Sequence, residues 1–205
     1  MPDTELRIAP LTPSLRDDYL RFFDHERGVA FADNAEWAKC YCHYYHVPKA
    51  IDFSTFDATA NRIAMSARIE VGEMEGYLAY AGQDVVGWVN AQPLHKLPHC
   101  WARLGVEPPA SELPLAELAA IVCFVIAPSW RRRGVARALL EGTLASMAAR
   151  GIRRVYAFPF RVDANDHAPT AHYHGPEALF RQCDFRELAE TATLRLLYRD
   201  LAPPA

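Results

Sequence analysis

Two stretches of the chain carry residues whose types and spacing could do chemistry. The first is Trp37-Ala-Lys-Cys-Tyr-Cys-His-Tyr-Tyr-His46, which crowds Cys40, Cys42, His43 and His46 together. Thiolate and imidazole are zinc ligands, but a zinc site needs four of them converging on a tetrahedron. On a helix Cys42 and His46 share a face while Cys40 points elsewhere; on a strand Cys40 and Cys42 share a face and His43 takes the other. No regular conformation collects all four, so no metal ligand is assigned. A second pair from His99-Cys100, with His95, is the one remaining route to such a site.

The second stretch runs from Phe124 through Val125 and Ile126 to Arg131-Arg132-Arg133-Gly134-Val135-Ala136-Arg137. An apolar strand enters a tight turn and then a helix, with three arginines where the helix begins. Cations there oppose the helix dipole, at a cost of about a few tenths of a kcal/mol each. No acidic residue between Ser129 and Leu140 offsets them. A bound anion would reverse the sign of that cost. Free N–H groups at a helix start hold phosphate, and Gly134 and Ala136 let the backbone approach closely. A solvated basic turn is the competing reading. Neither GxGxxG nor GxxxxGK[ST] occurs, and HExxH and GxSxG are also missing.

The elements that must position these residues follow from periodicity. Leu6 to Ala9 reads as a first strand, and Leu15, Tyr19, Phe22 and Phe23 as a helix. Phe53 to Val71 reads as a second helix capped by Asp52 or Ser54, with an apolar stripe of Phe56, Ala60, Ile63, Ala64, Ala67 and Val71. Gly76 to Ala91 is a hairpin turning at Ala81–Asp84, Leu118 to Ile126 a buried strand, and Gly134 to Arg150 a strong helix stopped by Gly151. Ile152–Phe158, a helix over Gly175–Gln182, and strands near Phe185–Glu190 and Thr193–Arg199 complete the order. This is one α/β domain over 1–205 with a mixed sheet, interrupted by irregular inserts at about 28–50, 93–117 and 159–173.

Bulk properties restrict the function. A net charge of −3 argues against a nucleic-acid binder. No apolar run approaches the ~18 residues that span a membrane, and the N-terminus lacks a signal sequence's apolar core. Five irregularly spaced cysteines point to a reducing, cytoplasmic compartment rather than a disulfide framework.

Ile126-x-Pro128-x-x-Arg131-x-x-Gly134-x-Ala136, followed by Leu139-Leu140, resembles the acetyl-CoA-binding motif of the GNAT N-acetyltransferases. The element order from Leu6 to Arg199 and the downstream Phe180-Arg-Gln-Cys-Asp-Phe185 strengthen the resemblance. Residues 37–46 and Tyr173-His-Gly175 resemble those of a GNAT subgroup with a W-x-x-C-x-C segment. The resemblance implies a GNAT-like (acyl-CoA N-acyltransferase) fold: a mixed central sheet flanked by helices, often dimeric. It implies an enzyme that moves acetyl from acetyl-CoA to an amine of a small molecule or peptide by direct attack. Phe124, Val125 and Ile126 would pair with the pantetheine arm, Arg131 to Arg137 would hold the diphosphate, with Gly134 at their centre, and Phe180 would also contact the cofactor.

Many members use a tyrosine of the last helix as general acid, and Phe180 stands there instead. Tyr173 and His174 are the substitutes, and Glu26, Glu75 and Glu117 the candidate bases. Trp37, Cys40, Cys42 and Asn90 are expected to border the acceptor pocket. The loss of the tyrosine also admits a catalytically inactive CoA-binding or metal-sensing regulator on the same fold.

Overall fold

The computed structural model describes residues 5–34, 37–161 and 172–202. A seven-stranded sheet forms the middle layer, in the order β1-β2-β3-β4-β5-β7-β6. Its strands are β1 Leu6–Pro10, β2 Tyr77–Ala81, β3 Asp84–Pro93, β4 Leu118–Ile126, β5 Arg154–Ala157, β6 Arg186–Glu190 and β7 Arg195–Asp200. Every neighbouring pair is antiparallel except β4 with β5. The helices are α1 Arg16–Phe23, α2 Ala58–Glu70, α3 Cys100–Leu104, α4 Val135–Ala149 and α5 Glu177–Gln182. One face of the sheet packs on α4 through Val135, Leu139, Leu140 and Met147. The other carries α1 and α2, where Tyr19, Phe23, Met65 and Trp88 meet. Among the described residues, no helix is long and apolar enough to cross a membrane.

β4 is buried on both faces, which explains its unbroken apolar run. Its pairing is irregular where it matters. Asn90 faces Cys123 but Ala91 faces Ile121, so Val122 is the extra residue of a β-bulge. Pairing with β5 ends at the same level, at Ile121 against Ala157. A bulge bends its strand, so β4 leaves β5 beyond Ile121 and the parallel pair opens.

Three expectations need correction. The second helix starts at Ala58, not Phe53, and its cap is Asp57, whose carboxylate accepts from Ala60 N–H at 2.7 Å. Asp52 instead caps a separate short turn over Phe53–Thr55. The expected stripe is not the buried one: Ile63 is 63% and Val71 70% exposed, while Ala58, Asn61, Met65 and Ile69 face inward. The inward face was misread because it contains a polar residue, Asn61, with work to do on the segment beneath it. The insert at 93–117 also contains a short helix, α3, which its prolines obscured.

α3 holds that segment from the far side. Arg103 is buried and donates to the carbonyls of Val47, Pro48 and Ile51, each at 2.9 Å, with its guanidinium 4.6 Å from the Tyr44 ring centre. Arg103→Leu keeps the apolar stem and strands three carbonyls. It should cost about 3 kcal/mol in a urea melt. Arg103→Lys should recover less than half of that, because an ammonium lacks the planar fork. A melt unchanged by the leucine would show that the three carbonyls find water instead.

Candidate active site

The Trp37–His46 segment adopts neither regular conformation. It forms two short 3-10 turns, Trp37–Lys39 and His43–His46, joined through Tyr41 and Cys42 at φ +46° and +54°. Two adjacent left-handed residues without glycine are costly and must be held. Tyr19 donates to the Tyr41 carbonyl at 2.6 Å, and His25 N–H donates to the Tyr41 hydroxyl at 3.2 Å. Asn61 donates to the Lys39 carbonyl at 2.8 Å while its own oxygen lies 2.8 Å from His43 Nδ1. Asn61 thus ties both turns to α2, a role its sequence position did not reveal.

That kink separates the sulfurs from the imidazoles. Cys40 and Cys42 face a cavity of about 320 Å³, whose wall also includes Phe31, Trp37, Tyr44, Tyr45, Phe53, Cys123 and Tyr173. His43 turns to Asn61, and His46 Nε2 lies 3.3 Å from the Gln92 amide. Among the described residues, no three His, Cys, Asp or Glu side chains gather around a point a metal could occupy. Cys123, on β4 just past the bulge, was missed from the sequence because a buried strand cysteine reads as core. Its thiol hydrogen-bonds that of Cys42.

The cysteines are poor nucleophiles. Burial pushes Cys40 up to about 12, with the neighbouring Cys42 adding to it. Cys42 is raised by its hydrogen bond to Cys123 and by burial. Thiolate, the reactive form, is therefore scarce at neutral pH. Asn90 is fully buried and not in the cavity wall; its oxygen accepts from the Gln92 amide at 2.8 Å, and its side chain hydrogen-bonds Cys42.

The cavity opens beside the parted strands. Phe124 N–H, which β5 no longer reaches, donates to the Tyr173 carbonyl at 2.6 Å. Ala127 N–H points the other way, to Val86 on the β3 side at 3.0 Å. By alternation, the peptide groups of Phe124 and Ile126 face the opening and that of Val125 faces β3. The Tyr173 ring packs edge-on against Trp37 at 5.1 Å. His174, 1% exposed, lies 2.9 Å from the Tyr45 hydroxyl through Nε2. Burial pushes His174 down to about 3, so it is neutral. Phe180 is fully buried and edge-on to Phe124 and Phe185; it is a core residue here.

At the end of β4 stands the arginine turn. Arg132 has φ +59° and Gly134 φ +80°, and no side chain caps α4. The first helical bond runs from Ala138 N–H to Gly134 O, so the N–H groups of Val135, Ala136 and Arg137 lack partners within the helix. A Cβ on Gly134 would meet nothing within 4 Å, which leaves the turn's outer side open. The turn is less bare than its sequence suggests. Asp33, from a distant loop, receives both terminal nitrogens of Arg131, one at 3.1 Å, and Arg131 Nε also reaches the Ile126 carbonyl at 3.2 Å. Arg137 pairs with Glu141 at 2.9 Å. Arg133 lies over Trp130, 5.3 Å from its ring centre. The missing counter-charge for Arg131 is thus supplied by the protein itself.

None of the three candidate bases lines the cavity. Glu26 is exposed, with the His25 ring nitrogen Nε2 3.9 Å from its carboxylate. Glu75 is held by Lys96 at 2.5 Å and Arg150 at 2.7 Å. Burial opposes its ionisation, but those two cations win and its pKa falls. Glu117 lies at the start of β4, six residues and about 20 Å of strand from Cys123. A larger concavity of about 520 Å³, near Ser111, Arg153 and Asp200, is at that same far end of the sheet.

A mixed sheet whose one parallel pair parts beside an uncapped helix start is the arrangement that the resemblance to the GNAT fold implied. The chain belongs to that family: the model of the Acetyltransferase (GNAT) family matches residues 36–175. Solved structures agree in fold. An acetyltransferase from Thermus thermophilus superposes with a TM-score of 0.55 at 22% identity, covering 98% of this chain and 100% of its own. PaiA N-acetyltransferase from Thermoplasma acidophilum, solved with coenzyme A, gives 0.52 at 8% identity, covering 96% and 99%. YncA from Salmonella typhimurium, solved with acetyl-CoA, gives 0.51 at 11% identity, covering 98% and 96%. No curated protein matches the sequence.

Proposed function

We propose that the protein is an acetyl-CoA-dependent N-acetyltransferase whose acceptor is an amine with an apolar or aromatic body. The observation that carries this is the adjacency of two features at the parted strands. The free N–H groups of α4 lie at the end of β4, and the aromatic cavity lies along its opened edge. The cosubstrate fits what is present. Val135, Ala136 and Arg137 N–H, with Arg132 and Arg133 nearby, suit a diphosphate. Phe124 and Ile126 offer strand edges to the amides of pantetheine. For that pairing the Tyr173 carbonyl must give up Phe124 N–H, so the segment at Tyr173 moves when the cosubstrate enters.

The cavity decides the acceptor class. Its described lining is nine residues of aromatic and thiol type, with no carboxylate and no cation. A polyamine or other multiply charged acceptor would lose hydration there without compensation. An aromatic or alkyl amine, or a peptide N-terminus with an apolar first residue, loses little, and the ring faces favour a single cation on approach. Cys40, Cys42 and Trp37 are wall, and transfer is direct, because no thiol is activated for a covalent intermediate.

Acetyl-CoA consumption across an amine panel tests this. Arylalkylamines and apolar N-terminal peptides should turn over, with kcat/KM at least about 100-fold above that for spermidine or an aminoglycoside. A preference for the polycations would overturn the acceptor class. Coenzyme A binding without transfer to any amine would favour the regulator.

A further inference from the structure

The structure offers a replacement for the absent acid in a residue to which the sequence analysis gave no role. We infer that Tyr45 is the catalytic proton donor of the acetyl transfer and that His174 positions it. The inference rests on the acetyltransferase reading above and names the group that completes its chemistry. Tyr45 sits on the second 3-10 turn, 4% exposed, and what it exposes is cavity wall. Its hydroxyl is 2.9 Å from His174 Nε2 in a buried contact. His174 Nδ1 is buried and unpartnered among the described residues.

That orphan nitrogen fixes the tautomer. A buried N–H without an acceptor is rarer and more costly than a bare lone pair. The single imidazole proton therefore belongs on Nε2, donated to the Tyr45 oxygen. Tyr45 then has its own O–H to donate; the Tyr173 hydroxyl accepts it at rest, and because both rings line the cavity, a group bound there can take it instead. The ionisable groups facing Tyr45 are Tyr173, Cys123, Cys40, Tyr44 and His174. Burial first, then those neighbours, keeps the phenol protonated through the neutral range. It is a donor, never a resting base.

The step balances without another protein group. The free amine forms the nitrogen–carbon bond and the carbon–sulfur bond breaks. Tyr45 passes its proton to the leaving sulfur and takes back the one that the newly acylated nitrogen sheds. The phenol, with His174 donating to it throughout, ends as it began.

Tyr45→Phe preserves the ring and its packing. It should lower kcat by about 100-fold or more while leaving KM for acetyl-CoA unchanged. His174→Gln should lower kcat by about tenfold, because it loosens the hydroxyl without removing it. In the wild type, the rate between about pH 6 and pH 9 should show one rising limb that moves with the pKa of the acceptor amine. Nitrogen NMR of His174 should show a single Nε2–H tautomer, fixed over that range, that becomes a mixture in Tyr45→Phe. Tyr45→Phe with kcat within about twofold of wild type overturns the proposal alone, as does a wild-type His174 that titrates near its ordinary value of about 6.5. A wild type that transfers acetyl to no amine overturns both the proposal and the reading beneath it.

Discussion

Gly134→Glu should weaken coenzyme A binding by about a hundredfold or more while leaving the fold intact. Two opposed effects make this variant informative. Gly134 has φ +80°, so any side chain there is strained by about 1–2 kcal/mol. The new side chain meets no atom within 4 Å, so nothing has to be displaced. A carboxylate beside the start of α4 also favours the helix dipole and offsets part of that strain. The melting temperature should therefore change little.

The ligand faces the reverse. A carboxylate about 5 Å from one phosphate charge, at an effective dielectric of about 20, repels it by about 3 kcal/mol. That is roughly a hundredfold in affinity, before the N–H groups that the carboxylate would itself occupy are counted. Calorimetric titration with coenzyme A should show the loss, and Gly134→Ala should separate strain from charge by binding within about tenfold of wild type. Equal affinity in Gly134→Glu would place the diphosphate somewhere other than the arginine turn.

The second large effect is on stability in mild acid. His46 and His174 are 4% and 1% exposed, and burial pushes each down to about 3. The unfolded chain binds protons at these sites below about pH 6.5, and the folded chain does not. Stability present above pH 6.5 is thus lost as the pH falls below it, at about 1.4 kcal/mol per pH unit per histidine. From pH 7 to pH 5 the two sites together remove about 4 kcal/mol, a large share of the roughly 5–15 kcal/mol typical of a folded domain. His43, lowered in the same direction by burial, adds to the loss.

The carboxylates with depressed values, Asp24, Asp33, Asp52, Glu75 and Glu187, lose their contribution only below about pH 4.5, so the fall between pH 7 and pH 5 belongs to the histidines, and the two losses overlap only below that. Urea melts at pH 7 and pH 5 should show the drop, and His46→Gln should remove about half of its slope. A midpoint that stays constant over that range would mean that the imidazoles are protonated within the fold.

The sequence by itself determined the frame. A doubly buried strand reads as an unbroken apolar run, a hairpin announces itself at Gly82, and a helix start rich in arginine is visible without coordinates. These signals are local, set by periodicity and turn chemistry, so the strand, the turn and α4 fell where expected. The family likeness rested on them too, and the fold agrees.

The site was decided by contacts between residues far apart in the chain. Cys123 joined Cys40 and Cys42 only because a bulge at Val122 turns β4 toward the cavity. Asp33 supplied the counter-charge for Arg131 from 98 residues away. Asn61 looked like a defect in a helix stripe until the turns it ties were seen beside it. Tyr45 and His174, 129 residues apart, form a pair that no spacing rule encodes. Propensity and periodicity act over a few residues, whereas hydrogen bonds between buried side chains depend on the packing that brings them together. The chain's local chemistry therefore names the cofactor turn, and only the folded arrangement of Tyr45, His174 and the three thiols shapes what the other side of the reaction can be.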